Sequence, residues 1–344
     1  MIGVSLYFTD YKLDYLKEAI RLGVKAVFTT IVMPEESYDG SEFKQRLHDF
    51  LELANEHNIE VITDISERIY DKLGIKSIFE LKNLGFSSVR VDSGFGSADE
   101  IKELADQFQV YLNGSHLKEE TLASYQSIGT DMSHISVMHN FYPRVNTGLR
   151  EDMFNRVNRM FKRYGCRIVA FIPGDKNFRN PVFMGLPTLE KHRGINPYAA
   201  YLELKYLNVD DVFIGDTEAD YNTLSLILKS NESKVTELSA YLLPKYRYLY
   251  DQVLDVRDDL SPDVLRIRKI DNRQIEPNHL LNRLAGSITI DNKLGNRYEG
   301  EINLIKHELP MENSVNVIGH IDPELIYVLD ILPRNSQVRL RPFI

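Results

Sequence analysis

RIVAFIPGDKNFRNPVFMGLPTLEKHRG, residues 167–194, opens as an apolar β run and breaks at Pro173-Gly174 into a long loop carrying Lys, Arg and Glu. HNFYPRVNTGL, residues 139–149, repeats the arrangement after the apolar run ISVM. Strand ends that spill into Pro/Gly/Asn loops loaded with charge are where an α/β barrel keeps its chemistry, because rigid strands position what the loops present. A βα loop as long as the one after Ile172 is usually functional.

The same grammar extends in both directions. Strand candidates are IGVSLYF (2–8), AVFTTIV (26–32), EVITDIS (60–66), SVRVDSG (88–94), QVYLNGS (109–115), HISVMHN (134–140), RIVAFIPG (167–174) and DVFIGD (211–216). Between them lie LDYLKEAIRL, FKQRLHDFLELANEH, IFELKNL, ADEIKELADQF and REDMFNRVNRMFKRY, whose apolar residues recur at three and four spacing. Gly23, Gly85 and Gly165 sit where helices must exit toward the next strand. Eight βα units with short αβ loops and longer βα loops predict a (β/α)8 TIM-like barrel over residues 1–230. A doubly wound open sheet is the competitor, but no G-x-G-x-x-G follows the first strand. After KSNESK (229–234) the pattern becomes short strands and turns, through VLRIRKI, GSITIDNKLGNRYEGEINLIKHELP, NSVNVIGHID, ELIYVLDILP and QVRLRPFI. Residues 231–344 are therefore expected to form a small antiparallel β-barrel domain.

Composition narrows the function classes. The 344 residues carry a net charge of −9, which speaks against a broad nucleic-acid surface and makes any phosphate ligand dependent on a local basic cluster. Cys166 is the only cysteine, so no internal disulfide forms, and it reads as a small core residue. MIGVSLYFTDYK lacks the pattern of a signal peptide, and no apolar run approaches the ~18 residues of a membrane span. A cytoplasmic location without membrane partners is expected.

Strand ends and the loops after them supply the candidate chemistry. Four carboxylates stand out: Asp64, Asp92, Glu190 and Asp216. Paired carboxylates at one mouth suit general acid and base work once their surroundings split their pKa values. The plain alternatives are N-caps for Asp64 and Asp216 and a surface ion pair for Glu190 with Arg193. Asp92 precedes SGFG, where Gly94 and Gly96 permit close backbone approach. Arg144, Arg179 and Arg193, with Lys176, offer forks or charges for phosphate or carboxylate oxygens, or else lock loops to the scaffold. Asn113, His139, Asn140 and Tyr142 complete the substrate-binding candidates, with His139 equally readable as a core histidine. No Lys lies on a strand candidate, which disfavours Schiff-base chemistry. The histidines show no helical zinc spacing, so neither metal nor cofactor is called for.

NFYPRVNTGL, FIPG…GLPTLEKHRG, VRVDSGFG and TIDN…RYEGEI…VNVIGHID together resemble the 6-phospho-N-acetylmuramidase family across essentially the whole chain. The resemblance implies a TIM-like barrel joined to a cyclophilin-like β-domain. It also implies hydrolysis of N-acetylmuramic acid 6-phosphate from N-acetylglucosamine in cell-wall recycling. Such a disaccharide carries a phosphate and a lactyl carboxylate for the arginines, and its glycosidic bond needs an acid and a second carboxylate or an assisted acetamido group. On position, Glu190 and Asp92 lead for these roles, Glu190 as an acid of raised pKa, with Asp64 and Asp216 behind. Arg144 and Arg193 lead for phosphate, and the β-domain is expected to help close the site or form a homodimer. The alternatives are a metal-dependent phosphosugar isomerase or hydrolase using Asp64, Asp92, His139 and Asp216, and a non-catalytic binding protein.

Overall fold

Each of the eight apolar runs becomes a parallel strand in the computed structural model, which describes residues 1–32, 40–92, 96–267 and 274–343. The strands are β1 (Ile2–Leu6), β2 (Ala26–Thr29), β3 (Glu60–Ile65), β4 (Ser88–Val91), β5 (Gln109–Asn113), β6 (Ile135–Met138), β7 (Arg167–Ile172) and β8 (Asp211–Ile214). They pair in sequence order, and β8 returns to β1 through Ile2↔Val212 and Gly3↔Phe213, closing the barrel. All are near-continuously buried, as parallel strands covered by helices must be. Each strand ends one to three residues before its apolar run does. Tyr7 and Phe8 are fully buried beyond β1, because apolar burial continues where the hydrogen-bond ladder has stopped. The expected extension of β4 to residue 94 reaches residues outside those described.

The connecting helices are α1 (Leu13–Leu22), α2 (Gly40–Glu56), α3 (Arg68–Leu73), α4 (Ala98–Ala105), α5 (Glu119–Ser127), α6 (Glu151–Arg163), α7 (Pro197–Tyr206) and α8 (Tyr221–Ser233). Local chemistry sets their ends. Ser97 and Glu100 form a reciprocal capping box on α4, and Asn196 caps α7, whose first residue is Pro197. Gly23 ends α1 with φ 119°, a left-handed exit that a Cβ would oppose. IFELKNL forms only a 3-10 turn over Ile78–Lys82.

The described residues divide into two compact units, Met1–Leu228 and Lys229–Ile344. The second unit is a curled half-barrel of seven strands, β9 (Thr236–Leu242), β10 (Val253–Asp255), β11 (Val264–Arg266), β12 (Ser287–Asp291), β13 (Ile302–Ile305), β14 (Val315–Ile321) and β15 (Gln337–Pro342). Their spatial order is β10-β15-β9-β14-β12-β13-β11. Among the described residues, the named strands of this unit pair antiparallel except β15 with β9. ELIYVLDILP is no strand: it folds as a 3-10 turn and the single turn of α9 (Val328–Ile331). A short apolar run fits either period, and here helical packing prevails. The tyrosine-rich stretch is fastened by Tyr250, whose hydroxyl donates to the Ala240 carbonyl and accepts from Leu242 N.

Candidate active site

Alternation along β3 puts Glu60, Ile62 and Asp64 on one face, and these three residues mark successive levels of the barrel interior. Glu60 accepts from the Tyr111 hydroxyl at 2.7 Å and the Ser88 hydroxyl at 2.6 Å. Ile62 belongs to an apolar layer with Phe28, Met138, Phe171 and Phe213. Asp64 stands at the C-terminal end, in register with Arg90 of β4. The same alternation therefore points an apolar residue into the middle of the barrel and a carboxylate into its mouth.

Arg90 organises that mouth. Its Nη1 donates to Asp64 Oδ1 at 2.6 Å and lies 3.6 Å from Asp92 Oδ1, while Nη2 donates to Asn140 Oδ1. The Asp64 and Arg90 side chains are 1% and 5% exposed, Asp92 42%. Burial pushes the Asp64 pKa up, and the charge and hydrogen bond of Arg90 oppose that push. Asp64 Oδ2 and Arg90 Nε are buried without a hydrogen-bond partner among the described residues. These side chains line a cleft of about 270 Å³ with Phe28, Phe141, Phe171 and Arg179. The Arg179 guanidinium lies 3.8 Å from the Tyr7 ring centroid and 5.9 Å from that of Phe141, a cation placed over aromatic rings at the wall of the cleft. Asp64, Asp92, Asn140 and Arg179 thus converge among the sequence candidates.

The others have different surroundings. Glu190 accepts from the backbone N–H of Asn146 (2.8 Å) and Gly148 (2.7 Å) and from Arg193 Nε (2.7 Å) and Nη2 (2.9 Å). Arg193, mainly, holds its pKa down to about 2, with those two N–H groups adding to the effect. The expectation of a raised pKa at Glu190 is therefore overturned, because the long loop grips this carboxylate with donors and does not desolvate it bare. Arg193 also donates to the carbonyls of Tyr142 (2.8 Å), Gly185 (2.8 Å) and Met184 (3.1 Å). Its fork is spent stapling the loop after β6 to the loop after β7. A Cβ on Gly148 would lie 2.7–2.9 Å from Glu190, so the loops meet there only because that residue is glycine.

Asp216 is likewise committed. Its carboxylate accepts backbone N–H bonds from Gly174 (2.9 Å), Arg179 (3.0 Å) and Leu186 (2.9 Å). Burial raises its pKa against these three donors. His139 is fully buried, bonded through Nε2 to Asn158 Oδ1 of α6 at 2.7 Å and packed against Phe154. Burial first of all pushes its pKa down to about 4. It is the core histidine of the two readings. Asn113 turns back to Ser115 N, Tyr142 contributes backbone bonds to Pro187 and Arg193, and Arg144 is exposed. Lys176 lies over the Tyr221 ring at 4.9 Å and 3.9 Å from Glu218. The set Asp64, Asp92, His139 and Asp216 does not converge, and among the described residues no group of three or more His, Cys, Asp or Glu side chains is placed to hold a metal ion. Gly94 lies outside the described residues.

Arg90 escaped the sequence reading as one polar residue inside SVRV. The signal was present: alternation places it opposite to Val89 and Val91, which face the helices, and so points it into the barrel.

Two family models cover nearly the whole chain: the N-terminal model of 6-phospho-N-acetylmuramidase matches residues 2–229 and the C-terminal model residues 236–341. The chain belongs to the 6-phospho-N-acetylmuramidase family. A conserved Enterococcus faecalis protein of unknown function has a crystal structure similar to this family member, at 29% identity and TM-score 0.84, covering 99% of this chain and 96% of that one. An uncharacterized B. cereus protein shares the fold at 24% identity and TM-score 0.81, with 99% of each chain covered. No curated protein matches. Among the described residues no helix is long and apolar enough to cross a membrane.

Proposed function

We propose that this chain is a cytoplasmic 6-phospho-N-acetylmuramidase that releases N-acetylglucosamine from a disaccharide bearing N-acetylmuramic acid 6-phosphate, in cell-wall recycling. The observation that carries the reading is the meeting of Asp64 and Asp92 on one guanidinium nitrogen in a cleft that also holds Arg179, within a chain of this family. Asp64, whose pKa burial raises, is the proton donor to the glycosidic oxygen. Asp92, more exposed, is the second carboxylate, acting on water, on the anomeric carbon or on the substrate's acetamido group. Arg90 holds Asp64 and Asn140 in place, and Arg179 receives the phosphate or the lactyl carboxylate. Arg193 and Glu190 serve as loop supports in this scheme, and the C-terminal unit as a cyclophilin-like accessory domain.

Incubating the purified chain with phosphorylated and unphosphorylated muramyl–glucosamine disaccharide tests the reading. Release of N-acetylglucosamine from the phosphorylated form alone, lost in Asp64→Asn and Asp92→Asn by about 10²-fold or more, is the expected result. No release from the phosphorylated form would refute it.

A further inference from the structure

Val182, Phe183 and Met184, at the tip of the loop after β7, are 41%, 57% and 51% exposed. Three consecutive apolar side chains in solvent are an error in a sequence unless they serve something. Phe183 also has φ 55°, in the left-handed region that a bulky side chain enters only under constraint. Most of the other non-glycine residues with positive φ among those described are Asn, which tolerates that region, and none of them has a hydrocarbon side chain. Burial gives Phe183 no compensation.

The constraint comes from two ionisable side chains outside the cleft, the buried Asp216 and the half-buried Arg193. Asp216 takes the N–H groups of Arg179 and Leu186, on either side of the tip. Arg193 takes the carbonyls of Met184 and Gly185, and Phe183 N donates to the Arg179 carbonyl at 3.2 Å. Strained backbone that persists because its surroundings over-determine it is characteristic of ligand clamps. The tip adjoins the cleft, since Asn180 and Pro181 line it. At about 270 Å³ the cleft is also smaller than the ~300–1,000 Å³ that usually encloses a whole drug-sized ligand. A disaccharide would place one sugar inside and the other against the rim.

We infer that residues 182–184, with the Phe183 ring at their centre, form a platform for the leaving sugar, receiving the apolar C–H face of its pyranose ring. The inference rests on the proposed function and adds the part of the molecule that reads the aglycone. An aromatic ring supplies a flat, rigid contact at low entropic cost.

The test compares kcat/KM on the phosphorylated disaccharide and on the methyl glycoside of N-acetylmuramic acid 6-phosphate, for the wild type, Phe183→Asn and Phe183→Gly. Both substitutions accept positive φ. They should lose about tenfold on the disaccharide but only about twofold on the methyl glycoside. Relief of strain should also raise Tm by about 2–4 °C. Equal losses on both substrates, or no loss on the disaccharide, would overturn the platform. A wild type that cleaves neither glycoside would overturn the proposed function and the platform with it.

Discussion

At the scale of residues, the buried pair Asp64–Arg90 dominates. Removing one partner leaves an uncompensated charge in the barrel mouth, so Arg90→Met should cost about 3–5 kcal/mol in urea unfolding. The double variant Asp64→Leu/Arg90→Met should recover most of that loss, whereas simple addition of the two single effects would show that the pair is not coupled. Arg90 also opposes the burial that raises the Asp64 pKa. In Arg90→Met the alkaline limb of kcat/KM should therefore move to higher pH, and an unmoved limb would remove Asp64 from the acid role. Asp64 was legible as a strand-end carboxylate, but its partner was not. An arginine between valines reads as noise until the barrel closes and turns it toward β3 and β6.

At the scale of elements, two loops behave as one because Glu190 and Arg193 connect them. Spacing of three was visible in LPTLEKHRG, yet a local ion pair and a bridge between loops share that spacing. What distinguishes them is the register of two connections some forty residues apart, which only the folded barrel sets. Glu190→Gln keeps the shape but loses the charge that Arg193 and two N–H groups grip. It should lower turnover of phosphorylated and unphosphorylated substrates by the same factor and raise hydrogen exchange at Asn146 and Gly148. A fall confined to the phosphorylated substrate would instead return these residues to phosphate recognition. The eight strands themselves were plain in the sequence, because buried parallel strands are written as apolar runs. Their C-terminal limits were not, since the same apolar character continues into Tyr7 and Phe8.

For the whole molecule, pH sets stability through a group of the second unit. Asp291, at the end of β12, has its pKa pushed up to about 7, first by burial and then by Glu301 and Glu312. The unfolded chain releases that proton near pH 4, so the folded state binds more protons between about 4 and 7. This contribution to stability is complete below that interval and is lost as pH rises through it. Asp291→Asn should accordingly gain Tm over the wild type at pH 8 relative to pH 5. A difference that is the same at both pH values would place the effect elsewhere. The order of strands in this second unit, with β15 parallel to β9 amid antiparallel neighbours, had no counterpart in the sequence. Alternation reports which face is buried, not which strand lies alongside. The Glu190–Arg193 bridge has a further consequence for how such a barrel can be inherited or recombined. A loop transplanted alone from a relative would bring either the carboxylate or the amides that it holds, never both. Segments 140–149 and 184–193 therefore form one exchangeable part, and a change of length in either is tolerable only with a matching change in the other.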